Sequence, residues 1–196
     1  MDKHVFTKGA AAAALGLGVL LAGCGGGGDG TGGSDGALPP ASPPPTVADP
    51  TGDCGVPNFQ ADALAQVNLF RSRARTCGET SYPAVPALTW NATLAQAAHA
   101  HSADMATRNY VDHTSLDGRT FDQRITAAGY VWSSVAENIA AGPTTMTAVM
   151  AGWQNSPGHC RNLMNASLRE VGLSCRKGAA GSTYATYWTM ALGAPR

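Results

Sequence analysis

Residues 155–165, NSPGHCRNLMN, place His159 between Gly158 and Cys160, with Pro157 directly before them. Because glycine and proline interrupt helices, this stretch is predicted to be an ordered turn. A histidine held in such a turn allows two interpretations. Either it lies beside a disulfide and makes only local hydrogen bonds, or it belongs to a functional site.

Two strands are predicted after this stretch, at residues 170–175 and 182–192. In the second, STYATYWTMAL, the residues Tyr184, Thr186, Trp188 and Met190 alternate with the residues between them. That alternation is the two-residue period of a β-strand.

Amphipathic helices are predicted before it, because apolar residues recur three and four positions apart. They span residues 59–75, 92–108, 121–128 and 145–154, and Asn91 is placed to cap the second. Helices therefore come first and strands last, without alternating along the chain. This order predicts an α+β fold with an antiparallel sheet.

The beginning of the chain has the pattern of an export signal. Residues 1–23 carry Lys3 and Lys8 and then an apolar run, which predicts a signal peptide. The last part of that run, Leu21-Ala22-Gly23-Cys24, resembles a bacterial lipobox and predicts lipidation of Cys24. The alternative is an ordinary signal peptide with an incidental cysteine. Gly25 is not the aspartate that retains lipoproteins in the inner membrane, which favours the outer membrane in a Gram-negative cell.

Residues 24–57 are rich in glycine and then in proline, and they show no hydrophobic period. That composition predicts a tether that is flexible at first and then semi-rigid. The folded domain is predicted to span residues 58–196 and to be monomeric. It holds 11 Lys and Arg against 8 Asp and Glu, a net charge of about +3. This charge is too small and too scattered for a nucleic-acid partner.

The four cysteines of the mature domain predict two disulfides, because exported domains are oxidised. Three connectivities are possible, and we favour the two that are local in sequence, Cys54–Cys77 and Cys160–Cys175. Free or metal-bound thiols are the alternative. A zinc knuckle is disfavoured because the chain has no CxxC pair.

Three residues are candidates for chemistry. Glu137 lies among Ala, Asn and Ile in AENIAAG, and a carboxylate in such surroundings needs hydrogen-bond donors or a cation. His113 and His159 are candidates for those partners, and two imidazoles with one carboxylate can bind a divalent metal or share a proton. The alternative is three unrelated polar residues. His101 lies on the apolar stripe of its helix and is predicted to be packed and hydrogen-bonded, and His99 is expected at the surface. There is no GxSxG nucleophile elbow and no phosphate-binding GxxxxGK loop.

The order of motifs along residues 60–194 resembles that of a known family. The motifs are ALTWNATLAQAAHAHSADM, DHTSLDGRTFDQRITAAGY, AENIA, GWQNSPGHCRNLMN, EVGL and YWTMALG. They are similar to the CAP superfamily of cysteine-rich secretory, antigen 5 and pathogenesis-related proteins, in its bacterial SCP-like extracellular form. The resemblance implies a three-layer α-β-α sandwich with a small antiparallel sheet. It also implies a cleft lined by two histidines and two acidic residues, which binds a divalent metal such as zinc in some members.

Carried over by motif, His113, Glu137 and His159 match three of the four cleft residues. Ser156 stands where the family usually has the second acidic residue, so a metal site would lack one negative charge. Two functions follow from the resemblance. One is a non-catalytic module that binds a lipid, a wall fragment or a protein at the cell envelope. The other is a metal- or acid/base-dependent hydrolase in which Glu137 acts as general base.

Overall fold

The structure is a computed structural model that describes residues 6–7 and 52–196. The predicted signal peptide apart from Phe6–Thr7, the lipidation at Cys24 and the tether as far as residue 51 lie outside the described residues. Among the residues described, no helix has the length and apolar character needed to cross a membrane.

The predicted helices and the two predicted strands are present, but helices and strands are not separated along the chain as expected, because a ten-residue strand, Trp132–Ala141, lies between two of the helices. The elements are β1 (Phe6–Thr7), α1 (Phe59–Arg71), β2 (Arg75–Cys77), β3 (Thr80–Tyr82), β4 (Thr89–Trp90), α2 (Ala92–Arg108), α3 (Phe121–Ala127), β5 (Trp132–Ala141), α4 (Met146–Asn155), α5 (Pro157–Leu163), β6 (Glu170–Lys177) and β7 (Thr186–Pro195).

The central sheet has the strand order β1-β5-β7-β6-β4. Strands β5, β7 and β6 pair antiparallel, whereas the short edge strand β4 runs parallel to β6. Strands β2 and β3 form a separate hairpin. Strand β5 was not predicted from the sequence. It is buried along most of its length, so it lacks the alternation of polar and apolar residues that marks a half-exposed strand.

Side chains leave the sheet alternately toward two helical layers. Ala136 and Met190 belong to the core that includes α1, α4 and α5. Val135 and Ala191 belong to the core formed with α2 and α3. Because neighbouring strand residues point to opposite faces, both faces of the sheet are covered. The fold is therefore the predicted α+β, three-layer α-β-α sandwich.

The predicted disulfide pairing is wrong. The structure joins Cys54 to Cys175 and Cys77 to Cys160, with Cα–Cα distances of 5.3 and 5.4 Å. Cys54 reaches β6 because the chain before it runs along that strand, where the Cys175 N–H donates to the Gly52 carbonyl at 2.7 Å. Residues 52–57, assigned by composition to the tether, thus begin the packed domain.

The stretch NSPGHCRNLMN also differs from expectation, because residues 157–163 form the helix α5 and not a turn. Pro157 occupies its first position, where the missing N–H would have no helical partner anyway. The proline therefore starts the helix. Cys160 then ties this helix to β2 through its disulfide with Cys77.

Candidate functional site

Glu137 lies on β5 and is buried, with only 3% of its side chain exposed. Its Oε1 accepts a hydrogen bond from His113 Nδ1 at 2.8 Å. Its Oε2 accepts one from Arg124 Nη2, also at 2.8 Å. Each carboxylate oxygen thus has a donor, as the sequence required, and one of the two donors is an arginine that was not singled out.

Arg124 holds the loop that carries His113 against the sheet. Besides Glu137, its guanidinium donates to the carbonyls of His113 and Arg119 at 2.9 and 3.0 Å and to Ser115 Oγ at 3.1 Å. A signal for this role was present in the sequence. With Phe121 and Ile125, Arg124 lies on the buried face of a helix at spacings of three and four.

Burial by itself would raise the pKa of Glu137. The hydrogen bond from His113 and the charge of Arg124 outweigh burial and leave the pKa of Glu137 lowered. The carboxylate is therefore ionised at neutral pH and held on both oxygens. In this state each oxygen accepts one hydrogen bond, and the carboxylate orients both of its donors.

His113 receives its orientation from this carboxylate. Nδ1 carries the proton donated to Glu137, so Nε2 of the neutral ring is an acceptor. Nε2 is buried and has no hydrogen-bond partner, although 22% of the side chain is exposed. It is thus the atom of the pair with a lone pair to offer a ligand.

His101 is fully buried on α2, as predicted from its position on the apolar stripe. Its Nε2 lies 2.9 Å from the Asp112 carbonyl, which can only accept, so Nε2 carries the proton. Burial lowers the pKa of His101. This neutral histidine holds the chain one residue before His113.

His159 lies on α5, in the other helical layer. Its backbone carbonyl accepts from Asn138 Nδ2 at 3.3 Å, and Asn162 Nδ2 on the same helix donates to the Glu137 carbonyl at 3.1 Å. Helix α5 is therefore fixed to β5 at Glu137 and at its neighbour Asn138. The structure brings His113 and Glu137 into contact, while the convergence of His159 with them stays a prediction.

The residues fit a metal only in part. Among the residues that the structure describes, no group of three or more His, Cys, Asp or Glu is arranged to hold a metal ion. Glu137 is buried, and each of its oxygens already accepts a hydrogen bond from a protein donor. His113 does fit, because metal-binding histidines commonly donate their other ring N–H to a carboxylate. Ser156 is the N-cap residue of α5.

Comparison with known proteins gives the family. The sequence model of the CAP family, described as the cysteine-rich secretory protein family, matches residues 64–192. The uncharacterized protein YkwD of Bacillus subtilis (strain 168) is 31% identical over 136 residues, which cover 68% of this chain and 50% of that protein. The chain thus spans about half the length of this relative.

Two solved structures are also similar. One is an extracellular protein containing a SCP domain from Bacillus anthracis str. Ames, with 30% identity, 56% of this chain and 34% of the other covered, and a TM-score of 0.49. The other is an outer surface protein from Borrelia burgdorferi, with 23% identity, 57% and 80% covered, and a TM-score of 0.52. The second likeness concerns the fold alone. With two thirds of the chain matched by the family model, the chain belongs to the CAP, or cysteine-rich secretory protein, family.

Proposed function

We propose that this chain is a lipid-anchored, extracytoplasmic CAP-domain module that binds a ligand through a cleft formed by His113, Glu137 and His159. The observation that carries the proposal is the state of Glu137, which is buried and whose two oxygens each accept a hydrogen bond from a protein donor. A general base must reach the proton that it removes, and only 3% of this side chain is exposed. Glu137 instead acts as the anchor that fixes His113 with Nε2 directed to a ligand.

Placement outside the cytoplasm is supported by the leader sequence and by the two disulfides, since disulfides persist in oxidising compartments. The lipid anchor at Cys24 is tested by replacing this cysteine with alanine in the full chain. We expect the wild-type chain to take up labelled palmitate and to sediment with membranes, and the variant to do neither. Labelling of the variant equal to that of wild type would contradict the anchor.

A divalent metal such as zinc would be held by His113 Nε2 together with His159. When bound, the metal would supply a positive centre for an oxygen of the ligand. Glu137 and Arg124 would hold the His113 ring in place, and Glu137 would contribute its charge without coordinating.

Zinc titration of the full chain by calorimetry tests this arrangement. We expect saturable binding that His113→Ala and His159→Ala each abolish. Glu137→Gln should weaken binding by about ten- to a hundredfold, which is the usual effect of losing a carboxylate behind a ligating histidine. His99→Ala serves as the control and should bind as wild type. Zinc binding that survives His113→Ala would contradict the site.

A hydrolase is the second candidate, and the His113–Glu137 pair is the observation that favours it. An imidazole oriented by a carboxylate, with its other nitrogen free, has the geometry of a general base. In this version His113 takes the proton, not Glu137. Turnover of peptide or ester substrates by the wild type, lost in His113→Ala with the fold intact by circular dichroism, would establish it. No turnover in the presence of zinc would favour the binding module.

A further inference from the structure

A second cleft lies along the edge of the sheet formed by β6 and β4, on the side away from β5, the strand that carries Glu137. It has a volume of about 460 Å³, within the range of small-molecule sites. Helix α1, in one helical layer, and helix α2, in the other, form its two walls. None of its lining residues contributes to the site described above.

The floor of this cleft is a gap in the edge of the sheet. Strand β4 covers β6 as far as Val171, whose carbonyl accepts from the Asn91 N–H at 2.9 Å. The next partner on this edge is Gly52, which accepts from the Cys175 N–H. Leu173 lies halfway between Val171 and Cys175, so the two-residue repeat turns its N–H and C=O toward the same edge. A backbone donor and acceptor therefore face the cleft.

Two aromatic rings flank the gap. Trp90 and Phe59 are half-buried and pack one side against the core. Phe59 is held by stacking on Trp188, with ring centroids 5.9 Å apart and planes inclined by 17°. Rings fixed on one side in this way offer a rigid apolar surface to a ligand.

Short polar side chains complete the lining. Gln60 and Gln96 each supply an amide with donor and acceptor atoms. Asp53 accepts from the Gly55 N–H through Oδ1 at 2.7 Å, which leaves Oδ2 as an acceptor. Paired donors and acceptors beside flat apolar surfaces suit a ring that carries hydroxyl groups on its edge and C–H groups on its face.

Other ligand classes fit less well. The titratable side chains among the described lining residues are Asp53 and His99, with no lysine or arginine, so the carboxylate of Asp53 disfavours an anion. The polar lining disfavours an acyl chain. From Val171 to Cys175 the edge measures only about 13 Å, too short for an added strand of typical length.

We infer that this cleft binds a short, uncharged sugar segment of one or two rings, with Trp90 as its stacking platform. The site is independent of the zinc and hydrolase questions, because it shares no residue with the His113–Glu137 pair. It gives the protein a means of contacting neutral glycan.

Titration of the full chain with N,N′-diacetylchitobiose and with cellobiose, followed by calorimetry, tests the inference. We expect saturable binding of at least one of them at millimolar concentration. Trp90→Ala should weaken it by about tenfold or more through loss of stacking. Gln96→Ala, an exposed change that leaves the core intact, should also weaken it.

Two controls separate this site from the rest of the protein. Tyr184→Ala removes a 42% exposed aromatic residue outside the cleft and should bind sugar as wild type. His113→Ala should also bind sugar normally even if it abolishes zinc binding. Absence of saturable binding by the wild type, unchanged binding by both Trp90→Ala and Gln96→Ala, or tighter binding of a phosphorylated sugar would overturn the inference.

Discussion

Glu137 shows what a buried charge demands of its neighbours. Moving a lone carboxylate out of water costs several kcal/mol, and that cost must be met by donors and an opposite charge. Arg124 supplies the charge and at the same time binds two carbonyls of the loop that carries His113. One side chain thus stabilises the carboxylate and shapes the site.

Arg124→Met is expected to lower the free energy of unfolding by about 3–5 kcal/mol, because it leaves the buried carboxylate of Glu137 without its arginine partner and with Oε2 lacking a donor. The double variant Arg124→Met/Glu137→Gln should recover much of that loss, since no buried charge remains. Urea unfolding measures both. Arg119→Ala, which breaks the exposed pair with Asp117, is the control and should change little. A double variant no more stable than the single one would contradict this account.

His101 gives the protein a dependence on pH with a definite sign. Its pKa is lowered by burial, and Nδ1, the atom that would take the proton, is buried without a hydrogen-bond partner. The charges around it are Glu137 on β5, Arg124 on α3 and Asp104 on α2. Below about pH 6.5, the pKa of an unperturbed histidine, His101 is protonated in the unfolded chain but stays neutral in the folded chain. This difference destabilises the fold as the pH falls.

The free energy of unfolding should therefore fall between neutral pH and pH 5, with His101 contributing a slope of up to about 1.4 kcal/mol per pH unit. His101→Gln keeps a donor for the Asp112 carbonyl but does not titrate, so its slope should be smaller. Glu137, whose pKa is lowered, adds its own loss only at more acidic pH. Denaturant unfolding at several pH values measures the slopes, and equal slopes for variant and wild type would exclude His101 as the cause.

Among the helices and strands, burial of one face produces a periodic pattern of apolar residues, and the amphipathic helices were predicted from that pattern. Helix α2 was found because Leu94, Ala98 and Met105 repeat on one face, and all three are buried. Strand β5 was missed because both of its faces are covered and it contains Glu137. The helix α5 was missed because Pro157 and Gly158 look like helix breakers, although a proline fits a first turn.

The residues of the candidate site were likewise predicted only in part from the sequence. His113 and Glu137 were identified from the motif resemblance, and the structure places them in contact. Arg124 lies inside the motif DHTSLDGRTFDQRITAAGY but was not singled out, because nothing in the pattern shows that it reaches both the loop of His113 and Glu137 on β5. Only the packing of α3 against β5 shows what it binds.

The contact between α2 and β6 depends on the absence of a side chain at Gly172. A Cβ there would lie 2.0 Å from the Ala95 nitrogen and 2.3 Å from the Leu94 carbonyl carbon. These are backbone atoms, so no rotamer change relieves the overlap. Gly172→Ala should therefore push α2 away from the sheet and lower the free energy of unfolding by about 3 kcal/mol.

Thermal unfolding followed by circular dichroism measures this loss. Gly152→Ala on α4 is the matched control, because a Cβ there meets no atom within 4 Å. In that helix, alanine should be neutral or stabilise by up to about 1 kcal/mol. Equal melting temperatures for the two variants would show that α2 can move at little cost.

Across the whole molecule, the two disulfides join parts that are far apart in sequence. Cys54–Cys175 spans 121 residues and Cys77–Cys160 spans 83. Loops of this length give each bridge an entropic stabilisation of about 4–5 kcal/mol. Sequence distance favoured the local pairings, but pairing is decided by which segments are neighbours in the sheet and against α5, and that follows only from the assembled fold.

Tryptic digestion without reduction distinguishes the two pairings, because a cleavage site separates each of Cys54, Cys77, Cys160 and Cys175 from the next of these four. The fold predicts that the peptide ending at Arg71, which holds Cys54, is linked to the peptide ending at Arg176. The peptides ending at Arg108 and Arg161 should form the second linked pair. Mass spectrometry before and after reduction identifies both. Local pairing would instead link the peptides ending at Arg71 and Arg108, and that result would require the segment before α1 to leave the edge of β6.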